Sequence, residues 1–96
     1  MTAQQPSIGR IVHYRLSEQD IRQVPNSVFA RGNRPSTGDI YPAVIVRVND
    51  TASQSVNLRV LLDGPDGLWL TSREAGPDGA TGSLDGRWFW PPRVGA

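Results

Sequence analysis

Glycine and proline divide this chain into short apolar segments, and this division limits the folds that it can adopt. The 96 residues include ten Gly and eight Pro, and no apolar repeat of helical period runs far enough for a long helix. Several segments instead alternate between apolar and polar residues, as half-buried strands do. The sequence therefore predicts a single all-β domain.

Five strands are predicted, at residues 10–16, 40–48, 56–63, 68–73 and 87–90. Strict alternation places one set of apolar side chains toward the core: Val12, Tyr14, Leu16, Val44, Val46, Val48, Val56, Leu58, Val60, Leu62, Leu68 and Leu70. The second strand also carries Ala43 and Ile45 on its other face, so we expect it to be covered on both sides.

The connection at residues 17–39 is unusually long for a small domain. Ser17 and Asp20 have the spacing of a capping box, which predicts one helical turn ending before Pro25. Residues 26–38 are expected to be irregular, and residues 74–86, with four glycines, to form a mobile loop. This arrangement resembles a small five-stranded SH3-like barrel over residues 8–93, with flexible ends at 1–7 and 94–96.

Composition excludes several classes of protein. There is no Cys, which excludes disulfides, zinc ribbons and cysteine nucleophiles. No apolar run approaches the length of a membrane span, and a net charge of +1 makes a general nucleic-acid binder an unfavoured interpretation. All ten basic residues are Arg, which fits either GC-rich coding or the binding of phosphate and carboxylate groups.

Catalytic and metal sites are not expected. The single histidine, His13, has no nucleophile or carboxylate at a recognisable spacing, and the Asp residues beside glycines are typical of turns. No glycine-rich phosphate loop leads into a helix. We therefore predict a protein that is not an enzyme and has neither a metal nor a cofactor.

Arginine and aromatic side chains form the remaining candidate site. Alternation places most of them on outer strand faces, where they can stack on planar rings and pair with phosphates. The predicted ligand-binding residues are His13, Arg15, Arg47, Arg59, Trp69, Arg73, Trp88 and Trp90. Trp69 is the strongest candidate among the tryptophans, since Trp88 and Trp90 fit a core position equally well.

A second outer-face feature is apolar. Ile11, Ala43, Ile45 and Leu61 are predicted to lie there with Trp69, which would make a large exposed patch. The sequence therefore predicts a homo-oligomer, with a ligand bound at a subunit interface.

Three segments carry a resemblance to a known group of proteins. Residues 6–14 (PSIGRIVHY), 41–46 (YPAVIV) and 88–92 (WFWPP) resemble small proteins encoded by tailed bacteriophages and prophages, many from high-GC actinobacteria. The resemblance implies a phage origin, expression in the cytoplasm of a host bacterium and GC-rich coding. No settled activity belongs to that group, so it assigns no binding residues.

Two functions follow as expectations. The first is a non-catalytic phage accessory protein that binds a host protein or, preferentially, sequesters a small anionic immune signal of nucleotide type. The second is a virion structural or assembly protein that makes contacts with other proteins. A nucleic-acid-binding barrel is a weaker third interpretation.

Overall fold

The structure of the protein is a computed structural model that describes residues 5–76 and 84–91, without the side chains of residues 29–31. The elements in chain order are β1 (Ile11–Arg15), α1 (Glu18–Arg22), α2 (Asn26–Arg31), β2 (Ile40–Asp50), β3 (Ser55–Val60), β4 (Leu68–Arg73) and β5 (Trp88–Phe89). All five predicted strands are present, and the prediction of an all-β fold is confirmed.

The strands form one antiparallel sheet in the order β4-β3-β2-β1-β5. An isolated parallel bridge between Ala75 and Trp88 brings the chain after β4 back to β5 at the opposite edge. The sheet formed by the described strands is otherwise unclosed, so the SH3-like barrel stays a prediction.

The core lies on one face of this sheet. Its largest fully buried side chains are Trp88 and Tyr14, and the cross-strand pairs bring the predicted apolar residues of β1, β3 and β4 together beneath them. Residues opposite each other in an antiparallel pair share a face, so each pair adds its apolar area to the same layer. We call the opposite side of the sheet the outer face.

The predicted orientation of β2 is wrong for Ala43 and Ile45, which are fully buried rather than on the outer face. They pair with Val12 and Leu58, both core residues. A register shift between Ile45 and Arg47 inserts one extra residue, and this bulge reverses the alternation along the strand. Strict alternation from residue 40 to 48 therefore could not describe both halves of β2.

The long first connection contains two short helices. The predicted capping box begins α1: the Ser17 hydroxyl accepts from the Asp20 N–H, and the Asp20 carboxylate accepts from the Ser17 N–H. The prediction of an irregular segment over residues 26–38 is wrong for residues 26–31, which form α2, and is confirmed for residues 32–38, which contain neither helix nor strand. Pro25 occupies the N-cap with an extended backbone, and its fixed φ is compatible with a helix start.

The loop predicted to be mobile is held in place at both described ends. Gly76 donates a backbone hydrogen bond of 2.7 Å to Trp88, and Gly86 donates one of 2.7 Å to Arg15. Residues 77–83 of that loop and the predicted flexible residues 1–4 and 94–96 lie outside the described ranges. No helix within residues 5–76 and 84–91 is long and apolar enough to cross a membrane.

Candidate functional site

Asp20 is the centre of a buried polar network that fastens α1 to the sheet. Its side chain is only 1% exposed. One carboxylate oxygen accepts from the Tyr14 hydroxyl at 2.6 Å, and the other accepts from the Arg73 guanidinium at 2.8 Å. The Ser17 N–H donates to the same carboxylate at 2.9 Å, and a second guanidinium N–H donates to the Tyr14 oxygen at 2.9 Å. We call these four residues the Asp20 network.

The surroundings of the Asp20 network fix its protonation states. Burial by itself would raise the pKa of Asp20, but the hydrogen bonds from Tyr14, Ser17 and Arg73 outweigh burial and hold it below its ordinary value. Burial raises the pKa of the Tyr14 hydroxyl, and the adjacent carboxylate raises it further. Asp20 is thus ionised and Tyr14 is protonated at neutral pH.

We expect the stability contribution of Asp20 to disappear in acid. Since the pKa of Asp20 is lower in the folded chain than its ordinary value of 3.8, the contribution is complete above that value and is lost as the pH falls through the folded pKa. Urea unfolding of the wild type and of Asp20→Asn should show a stability difference that shrinks below pH 3.8. A difference that stays the same from neutral pH to strong acid would contradict this assignment.

The Asp20 network also creates a cleft, because it holds α1 beside the edge strand β4. The cleft has a volume of about 430 Å³, within the range that small-molecule sites occupy. We call it the α1–β4 cleft. It is lined by Ser17, Gln19 and Gln23 from the α1 region, by Trp69, Thr71 and Arg73 from β4, and by Asp85 and Gly86.

The prediction that Arg73 lies on the outer face is wrong, because its side chain is on the core side of the sheet, where it lines the cleft. A register shift in the β3–β4 pairing places Thr71 and Ser72 opposite Asn57. The Asn57 side chain accepts from the Thr71 hydroxyl and the Ser72 N–H, which fixes the bulge. Arg73 then follows the core-facing Leu70 onto the same side and meets Asp20.

Trp69 and Arg59 lie on the outer face as predicted. They are direct cross-strand partners on β4 and β3, and both side chains are exposed, Trp69 to 52%. Arg59 also lines a second, smaller cleft of about 300 Å³ with the turn at residues 64–67. Trp69 therefore stands next to an exposed guanidinium while it forms part of the α1–β4 cleft.

The remaining predicted residues are dispersed. His13 is half-buried on the outer face, edge-on to the Phe89 ring at 5.7 Å, and Arg47 is exposed on the same face. The Arg15 guanidinium pairs with Asp85 at 3.1 Å, which connects it to the cleft rim.

Two tryptophans lie away from Trp69. Trp88 has no exposed surface, and its indole N–H donates to the Gln54 carbonyl at 3.0 Å, so it belongs to the core and not to a ligand site. Trp90 is half-buried between Trp88, at 5.3 Å, and the Arg10 guanidinium, at 5.0 Å.

Six of the eight residues that line the cleft are absent from the predicted ligand-binding set: Ser17, Gln19, Gln23, Thr71, Asp85 and Gly86. The two glutamines are four residues apart, a spacing that places side chains on one side of a helix. Because a helical turn was predicted there, this spacing could have indicated from the sequence that the two glutamines lie on one side of α1. Within the described chain, no group of three or more His, Asp or Glu side chains is arranged to hold a metal ion.

Comparisons with protein-family models, with curated proteins and with solved structures found no match. The function of this chain therefore has to be argued from the chemistry of the α1–β4 cleft and the outer face.

Proposed function

We propose that this chain is a non-catalytic binding protein that sequesters a small anionic molecule of nucleotide type. The supporting observation is the cross-strand pair of Arg59 and Trp69: both side chains are exposed, and Trp69 also lines the α1–β4 cleft. An indole face stacks on a planar base, and a guanidinium pairs with phosphate through charge-assisted hydrogen bonds. The pair thus offers both of the groups that a nucleotide needs.

The ionisable groups beside the cleft favour binding over catalysis. Asp20 and Asp85 each pair with an arginine, at 2.8 Å and 3.1 Å respectively. The Asp20 carboxylate is ionised and accepts hydrogen bonds on both of its oxygens, which suits a structural role better than proton transfer.

The resemblance to small phage proteins suggests a setting for this binding. In an infected bacterium, a protein that sequesters a signalling nucleotide would counter the host's immune response from within its cytoplasm. In a homo-oligomer the outer face would also form the subunit interface, and symmetric copies would enclose the ligand between them.

Replacing either member of the Arg59–Trp69 pair should weaken ligand binding about tenfold or more without unfolding the protein. A charge-assisted hydrogen bond contributes about 1.5–3 kcal/mol, and base stacking on an aromatic side chain contributes about 1–3 kcal/mol. Native mass spectrometry should first identify a bound mass from a panel of cyclic mononucleotides, cyclic dinucleotides and ADP-ribose derivatives. Calorimetric titration of Arg59→Gln and Trp69→Ala should then show about tenfold or greater loss of affinity.

Arg22→Gln is the matched control, because Arg22 is an exposed arginine on α1 whose partner is Glu18 rather than a cleft residue. Its affinity should equal that of the wild type. Equal affinities for Arg59→Gln, Trp69→Ala and the wild type would refute the site.

A second candidate function, a virion or assembly protein, is favoured by the apolar side chains of the outer face. Ile11 is 54% exposed, Leu61 is 42% exposed and Trp69 is 52% exposed. The composition of the patch differs from the prediction, because Ala43 and Ile45 are in the core, whereas Val46, which was predicted to face the core, is 39% exposed. A protein that binds no nucleotide in the panel but is found in purified phage particles would support this function instead.

A further inference from the structure

The two sides of the α1–β4 cleft offer different chemistry. Gln19 and Gln23 line it from the α1 region, and Trp69 and Thr71 line it from β4. α1 cannot easily swing away, because Asp20 in that helix is held by Tyr14 and Arg73. Both glutamines therefore line a cleft that also contains one large aromatic ring.

The charges around the cleft are balanced within the protein. Arg73 is paired with Asp20, and Asp85 is paired with Arg15. The guanidinium of the exposed Arg59, the partner of Trp69 across the strands, has no ion pair or hydrogen bond among the described residues. A phosphate is thus favoured at Arg59, while the cleft itself suits a neutral ring with polar edges.

The amide groups restrict which ring fits. A glutamine side chain offers one donor group and one acceptor side by side, the pattern that pairs with the amino group and ring nitrogen of adenine. The Hoogsteen edge of guanine, which corresponds to that edge of adenine, presents two acceptors, N7 and O6, which an arginine matches, and Arg73 is already engaged. Cytosine also has an amino group beside a ring nitrogen, but a purine covers more of an indole face.

We propose that the α1–β4 cleft recognises adenine, stacked on Trp69 and hydrogen-bonded by the amides of Gln19 and Gln23, with the phosphate of the same nucleotide at Arg59. This inference rests on the proposed function and specifies which nucleobase the ligand carries. A bidentate amide contact to the correct base gives about 5- to 150-fold discrimination against the wrong one.

Titration of the full chain with AMP, GMP and CMP tests the assignment. AMP should bind about tenfold or more tightly than GMP and CMP. In Gln19→Glu and Gln23→Glu the amino donor is replaced by an acceptor of the same shape, so the preference for AMP should disappear. Gln5→Glu is the control, since Gln5 is an exposed glutamine outside the cleft, and it should keep the wild-type preference.

The outcomes separate the two proposals. Binding of all three nucleotides with equal affinity, unchanged in both cleft variants, would overturn adenine recognition and leave nucleotide binding intact. A preference for GMP would overturn it in the same way. A wild-type protein that binds none of the three nucleotides would overturn both.

Discussion

Replacing Asp20 by alanine is expected to lower the free energy of unfolding by about 3–5 kcal/mol, the cost of removing one partner of a buried ion pair. The carboxylate is 1% exposed and accepts hydrogen bonds from Tyr14, Ser17 and Arg73. Without it, a guanidinium and a hydroxyl in the protein interior lose their acceptor. The measurement is urea unfolding at neutral pH, with circular dichroism to verify that the variant is folded before denaturant is added.

Glu18→Ala is the matched control for Asp20→Ala. Glu18 is an acidic residue of the same helix, and its ion pair with Arg22 joins two side chains that are 76% and 73% exposed. Exposed pairs of this kind contribute only a few tenths of a kcal/mol, up to about 0.5. Since alanine has a higher helix propensity than either acidic residue, a loss of stability cannot come from propensity, and equally small losses for the two substitutions would show that the network contributes little to stability.

The Asp20 network should also affect ligand binding through the position of α1. The Asp20 network is what holds α1 beside β4, so a folded Asp20→Asn protein should have a widened cleft and weaker binding, although Asp20 contacts no ligand in the proposed site. Removing the charge while keeping the shape separates this positioning role from simple unfolding. Unchanged nucleotide affinity in a folded Asp20→Asn protein would show that the cleft does not depend on the network.

Much of this fold follows from local sequence patterns. The bounds of β4 agree with the prediction, and the other strands differ from it by one to three residues at an end. Ser17 and Asp20 predicted the start of α1 because a capping box is a contact between residues three apart. Such features need no knowledge of the rest of the chain.

Long-range contacts explain what the sequence could not predict. Asp20 and Arg73 are 53 residues apart, and nothing in either neighbourhood indicates that they meet. The bulges at Val46 and at Thr71–Ser72 had the same effect, since the alternation before each bulge is out of phase with the alternation after it, and each bulge depends on the partner strand. This is why Arg73 and Ile45 were assigned to the wrong face while Arg59 and Trp69 were assigned correctly.

Trp88→Ala should be the second large destabilisation, at about 3–5 kcal/mol, as expected for emptying a buried tryptophan site. Trp88 is the largest fully buried side chain and lies on β5, a strand of only two residues. Its ring also fixes the position of Trp90, which meets it edge-on at 5.3 Å. Thermal unfolding should show a large fall in midpoint, and Trp69→Ala, an exposed control of the same residue type, should show almost none.

Trp88→Phe distinguishes the two parts of this contribution. Phenylalanine keeps most of the buried aromatic area but removes the indole N–H that donates to the Gln54 carbonyl at 3.0 Å. Gln54 has a positive φ of 56°, so its backbone is in a left-handed conformation that this hydrogen bond helps to hold. We expect an intermediate loss of stability, since a buried carbonyl without its donor costs about 1–3 kcal/mol. If Trp88→Phe and Trp88→Ala lowered the free energy of unfolding equally, the indole hydrogen bond to Gln54, rather than the buried ring, would hold β5 to the turn between β2 and β3.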